Sequence, residues 1–238
     1  MNAKKAPAKK PRSKESTPGD LELEMPKLQR NTLNEEVYEQ LKHALTTGRI
    51  APGSTMTIRS LASSFGISPM PVREALRRLV AEHVLVLLPN RSVSLPIITR
   101  ERFREITRIR TSLEGLAAEE ATPLITADTL KKMAQLNDEM ELPGQTKRPE
   151  YLSKNREFHF CLYQSSRLPT LVKIIEALWL QIGPLLTIQR EEFASSGVIV
   201  QVQHRRLLKA LKKGDAAEAR DAIVNDIEDA AKIIGATL

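Results

Sequence analysis

Apolar residues in the first third of the chain recur at helical intervals, in segments bounded by residues that start or stop helices. The first segment begins near Thr32, where Thr32 and Glu35 have capping-box spacing, and it ends at Gly48. The second segment, "IRSLASSF", follows Thr57 as its predicted N-cap and ends at Gly66. The letters "APGS" between the two segments are typical of a turn. This pattern predicts two helices joined by a short connection.

A third segment, residues 69–81, begins with prolines and carries three arginines. Pro69 stands at the first helical position, where the missing N–H costs nothing, and Ser68 is the predicted N-cap. Arg73 and Arg77 are four residues apart and therefore share an outward face. The apolar stripe on the other face comprises Val72, Ala75, Leu76, Leu79 and Val80. The short "GIS" connection before this helix is the spacing of a helix-turn-helix.

Two β-rich runs follow within residues 83–98, around a Pro-Asn-Arg turn, and predict a β-hairpin. Three helices followed by a hairpin make a winged helix-turn-helix. In a DNA-binding protein, the start of helix 69–81 would enter the major groove, and the hairpin tip would lie near the backbone or minor groove. Winged helices also mediate protein contacts, so the pattern favours DNA binding and leaves protein binding open.

The remainder of the chain has helical periodicity throughout, interrupted at Pro123, Gly183-Pro184, Gly214-Asp215 and polar loops. The predicted helices are 101–121, 126–141, 150–165, 169–182, 184–194, 198–213 and 215–236. Two of their stripes need partner surfaces; these contain Phe103, Ile106, Ile109, Leu113, Leu116 and Ala117, and Leu171, Ile174, Ile175, Leu178 and Leu185. The predicted fold class is mostly α, a winged helix-turn-helix followed by an all-α bundle of six or seven helices.

The formal net charge of +7 is concentrated at the start of the chain. Residues 1–14 contribute +6 and contain no acid, so the rest of the chain carries only +1. This composition predicts a disordered basic tail over residues 1–30, a DNA-binding domain over 31–98 and a helical domain over 99–238. The tail either adds non-specific attraction to phosphates or only increases solubility.

The remaining composition is typical of a cytoplasmic protein. No apolar run approaches the roughly 20 residues that span a bilayer, and no signal-peptide pattern is present. The single cysteine, Cys161, excludes an internal disulfide and fits a reducing compartment. We therefore expect no membrane partner.

Four polar residues fall on apolar faces of the predicted bundle. Asn155 and His159 are one helical turn apart, and His204 and Asp226 lie at nearly equal distances on either side of Gly214. Positions symmetric about a tight turn lie side by side on antiparallel helices, so we expect the four residues to converge. Two imidazoles, a carboxylate and an amide oxygen suit a divalent first-row metal. The alternative is that these histidines are ordinary, satisfied core residues.

Residues 37–96, "VYEQLKHALTTGRIAPGSTMTIRSLASSFGISPMPVREALRRLVAEHVLVLLPNRSVSLP", resemble the winged helix-turn-helix of GntR-type bacterial transcription regulators. The most specific match is "GISPMPVREALRRL", and "PNRS" stands where the family has its P-N-R-G wing. The resemblance implies that Arg59 contacts phosphate or base, that Arg73 is the recognition-helix arginine and that Ser68 meets a phosphate. The predicted DNA-binding residues are Arg59, Ser68, Met70, Arg73, Arg77, Asn90 and Arg91.

Three departures separate the chain from that pattern. Pro69 and Met70 stand where many members have Arg-Thr, which removes one arginine from the groove. His83 replaces a common glycine at the turn into the hairpin, and Ser92 replaces the wing-tip glycine. We therefore expect the wing contacts to differ from those of the family.

The helical region is similar to the FCD ligand-binding domain of the FadR-like branch of that family. That domain carries Asp-x-x-x-His on one helix and, later, two histidines about 22 residues apart. Here Asn155 stands for the aspartate and Asp226 for the last histidine, while His159 and His204 are as expected. The resemblance implies a divalent metal (Zn, Ni or Mn) held by Asn155, His159, His204 and Asp226.

Arg110 lies in line with Ile106 and Leu113, so its guanidinium borders an apolar face. An ion pair with Glu114, four residues later, is one interpretation. The FCD resemblance implies instead that an arginine here helps to hold an effector carboxylate, which suits its bidentate geometry. The predicted effector-binding residues are Arg110, Asn155, His159 and His204.

The sequence therefore predicts a homodimeric regulator that binds a short inverted repeat in double-stranded DNA and responds to a small organic acid. One alternative is a DNA-binding dimer that has no effector and uses its bundle only for dimerisation. Another is a metal-dependent enzyme, which the lack of a recognisable nucleophile or general-base motif disfavours, so we expect no enzymatic activity.

Overall fold

A computed structural model describes residues 32–142, 144, 150–186 and 202–238 of the chain. Within them the chain forms nine α-helices and three short β-strands, which confirms the predicted mostly α fold class. The predicted basic tail (1–30) and most of the predicted helix 184–194 lie outside the described residues. No helix within these ranges is long and apolar enough to cross a bilayer.

The N-terminal part has the predicted winged helix-turn-helix architecture. Its elements are α1 (Thr32–Thr46), β1 (Thr55–Met56), α2 (Ile58–Phe65), α3 (Pro69–Ala81), β2 (Val86–Leu87) and β3 (Val93–Ser94). Strand β3 pairs antiparallel with both other strands, and Ser94 lies opposite both Thr55 and Val86. The predicted hairpin is confirmed, but the sequence did not predict β1. Two residues carry no detectable periodicity, and β1 exists because it pairs with a strand distant in the chain.

The predicted ends of α2 are confirmed. Thr57 Oγ1 accepts a hydrogen bond from the Ser60 amide at 3.0 Å, and Ser60 Oγ accepts one from the Thr57 amide at 3.3 Å. Gly66 ends the helix with φ +67°, a left-handed conformation that costs glycine little. These two caps set the direction of the chain into α3.

The C-terminal part is an all-α bundle, which contains six helices within the described residues. They are α4 (Arg100–Ala121), α5 (Ala127–Glu141), α6 (Glu150–Ser165), α7 (Pro169–Ile182), α8 (Val202–Lys213) and α9 (Ala216–Thr237). Short 3-10 turns follow α4 and α7, at Thr122–Leu124 and Gly183–Leu185. The predicted turn between α8 and α9 is confirmed, because Gly214 has φ +68° and Asp215 caps α9 by accepting from the Glu218 amide.

Two hydrophobic cores form, one among the bundle helices and one inside the winged helix-turn-helix. Phe103 and Ile106 of the predicted α4 stripe are buried in the bundle core, but Ile109 and Leu116 are exposed. Ile174 of the predicted α7 stripe is exposed as well. A helix in a bundle buries a narrower arc than the sequence pattern suggested, so the outer members of each stripe face outward.

Helix α7 joins the two cores. Leu180 of α7 is only 1% exposed and belongs to the winged-domain core. Lys42 Nζ of α1 lies 2.8 Å from Glu176 Oε1 of α7. At Gly183 the backbone comes so close to α1 that an added Cβ would lie 2.9 Å from Thr46 Cα. The winged domain is therefore packed directly on α7, and residues 32–238 form one compact unit.

Candidate functional site: a basic groove and a buried histidine cluster

Helix α3 and the wing enclose a groove of about 380 Å³. Arg73 and Arg77 reach it from α3, and Arg91 reaches it from the wing. The apolar residues that line it are Ile58, Leu76, Val80, Leu87 and Val93. All three arginines are exposed, and only Arg77 forms an ion pair within the described residues, with Glu74 at 3.1 Å. Exposed guanidinium groups on a narrow groove are suited to phosphates and to the acceptor edges of bases.

The start of α3 presents further groups suited to an anion. Ser68 occupies the N-cap position, but its side chain does not cap the helix, which differs from the prediction. The reason lies in the sequence, because Pro71 stands at the third helical position and has no N–H to donate. The Ser68 hydroxyl and the exposed Met70 therefore stand at the positive end of the α3 dipole, where anions bind favourably. Arg59 is also exposed, on α2.

The wing departs from the predicted arrangement at its tip. The left-handed residue is Arg91, with φ +62°, and not Ser92, which is 3% exposed. Asn90 Oδ1 accepts hydrogen bonds from the Ser92 amide at 3.1 Å and from Ser92 Oγ at 2.6 Å. Asn90 therefore holds the turn with its side-chain carbonyl oxygen. His83, which replaces a common glycine, does adopt the left-handed conformation, with φ +57°.

Three of the four predicted metal ligands converge inside the bundle. His159 Nε2 of α6 lies 3.3 Å from Asp226 Oδ2 of α9 and 3.3 Å from His204 Nε2 of α8. His204 Nε2 lies 3.7 Å from Asp226 Oδ1. Both histidines are buried, whereas the Asp226 side chain is 22% exposed. The symmetric placement about Gly214 thus brings His204 and Asp226 together, as the sequence predicted.

The three ligand atoms fit a divalent ion. An ion with bonds of about 2.0–2.2 Å holds neighbouring ligand atoms roughly 2.8–3.6 Å apart, given tetrahedral or octahedral angles. The observed separations of 3.3, 3.3 and 3.7 Å fall in or just beside that interval. Two nitrogen donors and one carboxylate are a donor set for Zn, Ni or Mn, with further positions left for a ligand. Among the described residues, these three form the group that could hold an ion.

The protonation of the cluster also favours a cation. Burial lowers the pKa of His204 to about 4, although the carboxylate of Asp226 opposes the shift. Burial alone would raise the pKa of Asp226, but its interactions with His204, His159 and Arg110 outweigh the effect of burial, and the pKa is lowered. A neutral imidazole and an ionised carboxylate are the forms that bind metals.

Tyr163, Glu114 and Trp179 lie next to His159. Of these three, the sequence singled out only Glu114, as a possible partner of Arg110. Tyr163 Oη lies 3.2 Å from His159 Nδ1 and donates to Glu114 Oε2 at 2.5 Å. Trp179 Nε1 also donates to Glu114 Oε2, at 3.0 Å. Burial and the Glu114 carboxylate raise the pKa of Tyr163, so its hydroxyl remains protonated. The contact between His159 and Tyr163 could have been predicted from their four-residue spacing on one helix. The contact of Trp179 with Glu114 could not, because the two residues lie on different helices.

The other two predicted residues of this site, Asn155 and Arg110, are not among the three groups that converge. Asn155 is half-buried, one turn before His159 on the same face of α6. Arg110 is buried and forms the ion pair with Glu114 that the sequence left open, with Nε 2.6 Å from Oε1. Its guanidinium also stands 5.0 Å from the Trp179 ring, and its charge contributes to the lowered pKa of Asp226. Arg110 is thus near the cluster, but Glu114 already occupies one edge of its guanidinium.

Comparison with known proteins relates both parts of the chain to regulators. Residues 33–95 match the family described as bacterial regulatory proteins, gntR family, and residues 105–229 match the FCD domain. The HTH-type transcriptional regulator McbR of Escherichia coli (strain K12) is 31% identical over 199 residues, which cover 83% of this chain and 90% of McbR. The uncharacterized HTH-type transcriptional regulator YdhC of Bacillus subtilis (strain 168) is 26% identical over 79% of this chain and 85% of its own length. The solved structure of E. coli McbR/YncC superposes with a TM-score of 0.79 at 29% identity, over 86% of this chain and 98% of that one.

These matches agree with the winged fold, the exposed arginines and the helical bundle. McbR and YdhC are both named as HTH-type transcriptional regulators. The chain belongs to the GntR family of bacterial regulatory proteins, carries an FCD domain, and is a DNA-binding transcription regulator.

Proposed function

We propose that this regulator is controlled by a small carboxylate metabolite, which binds at the His159, His204 and Asp226 cluster together with a divalent metal ion. The observation that carries the proposal is the convergence of two buried imidazole nitrogens and a carboxylate within 3.3–3.7 Å of one another. A cation held between these three atoms interacts strongly with the carboxylate, because a buried site screens charge less than water does.

We assign some residues of the cluster to the metal ion and others to the organic acid. In this proposal, His159, His204 and Asp226 hold the ion. Asn155, one turn before His159 on α6, adds an amide oxygen. A divalent ion beside one carboxylate supplies a net charge of about +1, which attracts an organic acid. Arg110 meets that acid with the edge of its guanidinium that Glu114 does not occupy. The resulting site is positive and mostly enclosed.

Helix α7 provides a physical connection between the cluster and the DNA-binding domain. Trp179 of α7 donates to Glu114, which also binds Tyr163 next to His159. On the same helix, Glu176 pairs with Lys42 of α1, and Leu180 is buried in the winged-domain core. A ligand that shifts α7 therefore shifts the winged domain, and a ligand with different affinities for the two placements changes DNA affinity.

On DNA, we infer that α3 enters the major groove and that the wing approaches the backbone or minor groove. The proposed contacts come from Arg59, Ser68, Met70, Arg73, Arg77, Asn90 and Arg91, all of which are exposed. A homodimer would place two such surfaces on a short inverted repeat. The exposed Ile109 and Leu116 on α4 offer an apolar surface for the second copy. The proposed location is the cytoplasm, where the protein would have access to chromosomal DNA.

A binding experiment tests the proposal. Protein stripped with a chelator is titrated with Zn, Ni or Mn, and its affinity for a duplex selected from a random pool is measured by fluorescence anisotropy before and after organic acids are added. We expect metal binding, and a change in DNA affinity with at least one acid. His159→Ala should abolish both, because it removes a ligand of the ion.

The alternative functions give different results in the same experiment. Full DNA affinity with no response to metal or acid would support an effector-independent dimer and refute the proposal. If an acid binds without any metal, the cluster remains an effector site, and only the proposed metal binding is refuted.

A further inference from the structure

We propose that Tyr163 and Glu114 are positioning residues that fix the tautomer of His159, so that its Nε2 faces the cluster without a proton. This inference deepens the proposed function and rests on it where metal affinity is concerned. The tautomer itself is a property of the protein without metal and can be tested separately.

The Tyr163 hydroxyl carries a single proton and has two acceptors within reach. Glu114 Oε2 lies at 2.5 Å and His159 Nδ1 at 3.2 Å. A hydrogen bond from a hydroxyl to a carboxylate is shorter and stronger than one to a neutral ring nitrogen. The hydroxyl therefore donates to Glu114, and its oxygen presents a lone pair to His159.

A lone pair that faces His159 Nδ1 requires a proton on that nitrogen. In the neutral ring, a proton on Nδ1 leaves Nε2 as an acceptor. Nε2 is the atom that lies 3.3 Å from Asp226 Oδ2 and 3.3 Å from His204 Nε2. The hydrogen bonds of Tyr163 and Glu114 thus present the metal-binding nitrogen of His159 to the other two ligands.

Glu114 is well held for this role. It is fully buried, and its two oxygens accept from Arg110 Nε at 2.6 Å, from Trp179 Nε1 at 3.0 Å and from Tyr163. These donors come from α4, α6 and α7, so the carboxylate cannot rotate away from Tyr163 without breaking contacts to three helices. His159 consequently receives a fixed partner on its Nδ1 side.

His204 provides an internal contrast. Its ring stacks on Phe158 with centroids 4.1 Å apart, but its Nδ1 has no hydrogen-bond partner within the described part of the chain. The two imidazoles of the cluster therefore differ, since one is oriented by a tyrosine and a carboxylate and the other by stacking. Of the two imidazoles, only His159 should respond directly to removal of the Tyr163 hydroxyl.

The test compares Tyr163→Phe with a matched control, Tyr38→Phe. Tyr38 is also buried and also donates to a glutamate, Glu82, at 2.7 Å, but it lies in the winged domain. Histidine tautomers are read from long-range ¹H–¹⁵N NMR spectra of chelator-treated protein, and Zn affinity is measured by competition with a chromogenic chelator. His159→Ala serves to assign the resonances.

We expect His159 to carry its proton on Nδ1 in the wild type and in Tyr38→Phe, and to lose that preference in Tyr163→Phe. Loss of a hydrogen-bond partner behind a metal ligand typically lowers metal affinity about 10–100-fold, and we expect that loss for Tyr163→Phe only. A wild-type His159 with its proton on Nε2 would overturn the proposal without any variant. So would a Tyr163→Phe protein with the same tautomer and the same Zn affinity as the wild type.

The outcomes also separate this inference from the proposed function. If the wild type binds no metal but the tautomer changes in Tyr163→Phe, the positioning role stands and the metal proposal fails. If His159→Ala loses metal while Tyr163→Phe keeps both affinity and tautomer, the metal proposal stands and the positioning role is refuted.

Discussion

Replacement of Gly183 by alanine tests how tightly the winged domain packs on the bundle. Gly183 has φ −48° and ψ −47°, a conformation that any residue adopts, so alanine by itself would favour the fold by about 0.5–1 kcal/mol. The added Cβ, however, would lie 2.9 Å from Thr46 Cα and 3.1 Å from the Leu45 carbonyl oxygen. These are backbone atoms of α1, which cannot move aside by a change of rotamer.

Relief of that overlap requires α1 to move away from α7, which opens the packing around Leu180. Overpacking of this kind costs about 1–3 kcal/mol, so after the conformational gain we expect a net loss of about 1–2 kcal/mol in the free energy of unfolding. Because the same shift loosens the connection between the cluster and the winged domain, the response of DNA affinity to a bound acid should also weaken.

The measurement is urea unfolding followed by circular dichroism, with chelator-treated protein at one fixed concentration. Gly235→Ala is the matched control, since Gly235 lies in α9 with no heavy atom within 4 Å of an added Cβ. This control should be as stable as the wild type or gain up to about 1 kcal/mol. If Gly183→Ala were as stable as Gly235→Ala, the close approach of α1 to α7 would not exist in solution.

Four further predictions concern DNA binding and stability. Arg73→Ala should weaken binding to the selected duplex by about 1–3 kcal/mol and relax specificity if Arg73 contacts a base, or weaken all duplexes evenly and reduce the salt slope by about one if it contacts phosphate; unchanged affinity would contradict its place in the groove. Deletion of residues 1–30 should reduce mainly non-specific binding, and loss of sequence preference would contradict the tail hypothesis. Because burial lowers the pKa of His204 from 6.5 to about 4, its contribution to stability is full above pH 6.5 and is lost as the pH falls from 6.5 towards 4. The shift corresponds to about 3 kcal/mol, so His204→Gln should show a smaller loss of unfolding free energy between pH 7 and pH 4.5 than the wild type, and an equal loss would exclude this origin. His83→Gly should stabilise the protein by about 1 kcal/mol in thermal unfolding, because it relieves a left-handed conformation at φ +57°, and destabilisation would show that the His83 side chain contributes more than its backbone costs.

Much of the architecture could be predicted from local features of the sequence. Thr57 and Gly66 mark the ends of α2, and the Gly214-Asp215 pair marks the turn between α8 and α9, because caps and left-handed positions act within a few residues. For the same reason, the sequence could predict that His204 and Asp226 face each other across the turn. Two positions at similar distances from a tight helical turn have little freedom to separate.

Some predictions failed where local chemistry was considered incompletely. Ser68 was expected to cap α3, but the third helical position is Pro71, which has no N–H. The strand β1 was missed, because two residues become a strand only by pairing with β3. Ile109 and Leu116 follow a helical stripe and yet are exposed, because periodicity indicates a face but not how much of that face a neighbouring helix covers.

The sequence by itself determined most of the helices and their ends, that Arg73 and Arg77 share one face of α3, and that two histidines and an aspartate could meet. Only the tertiary structure decided that Arg110 pairs with Glu114, and that Glu114 is held by Tyr163 and Trp179 from two other helices. It also decided that α7 connects the cluster to the winged domain through Glu176 and Leu180. These contacts join helices far apart in the chain, and the relative placement of such helices depends on how all their side chains pack at once, which no local pattern of residues encodes.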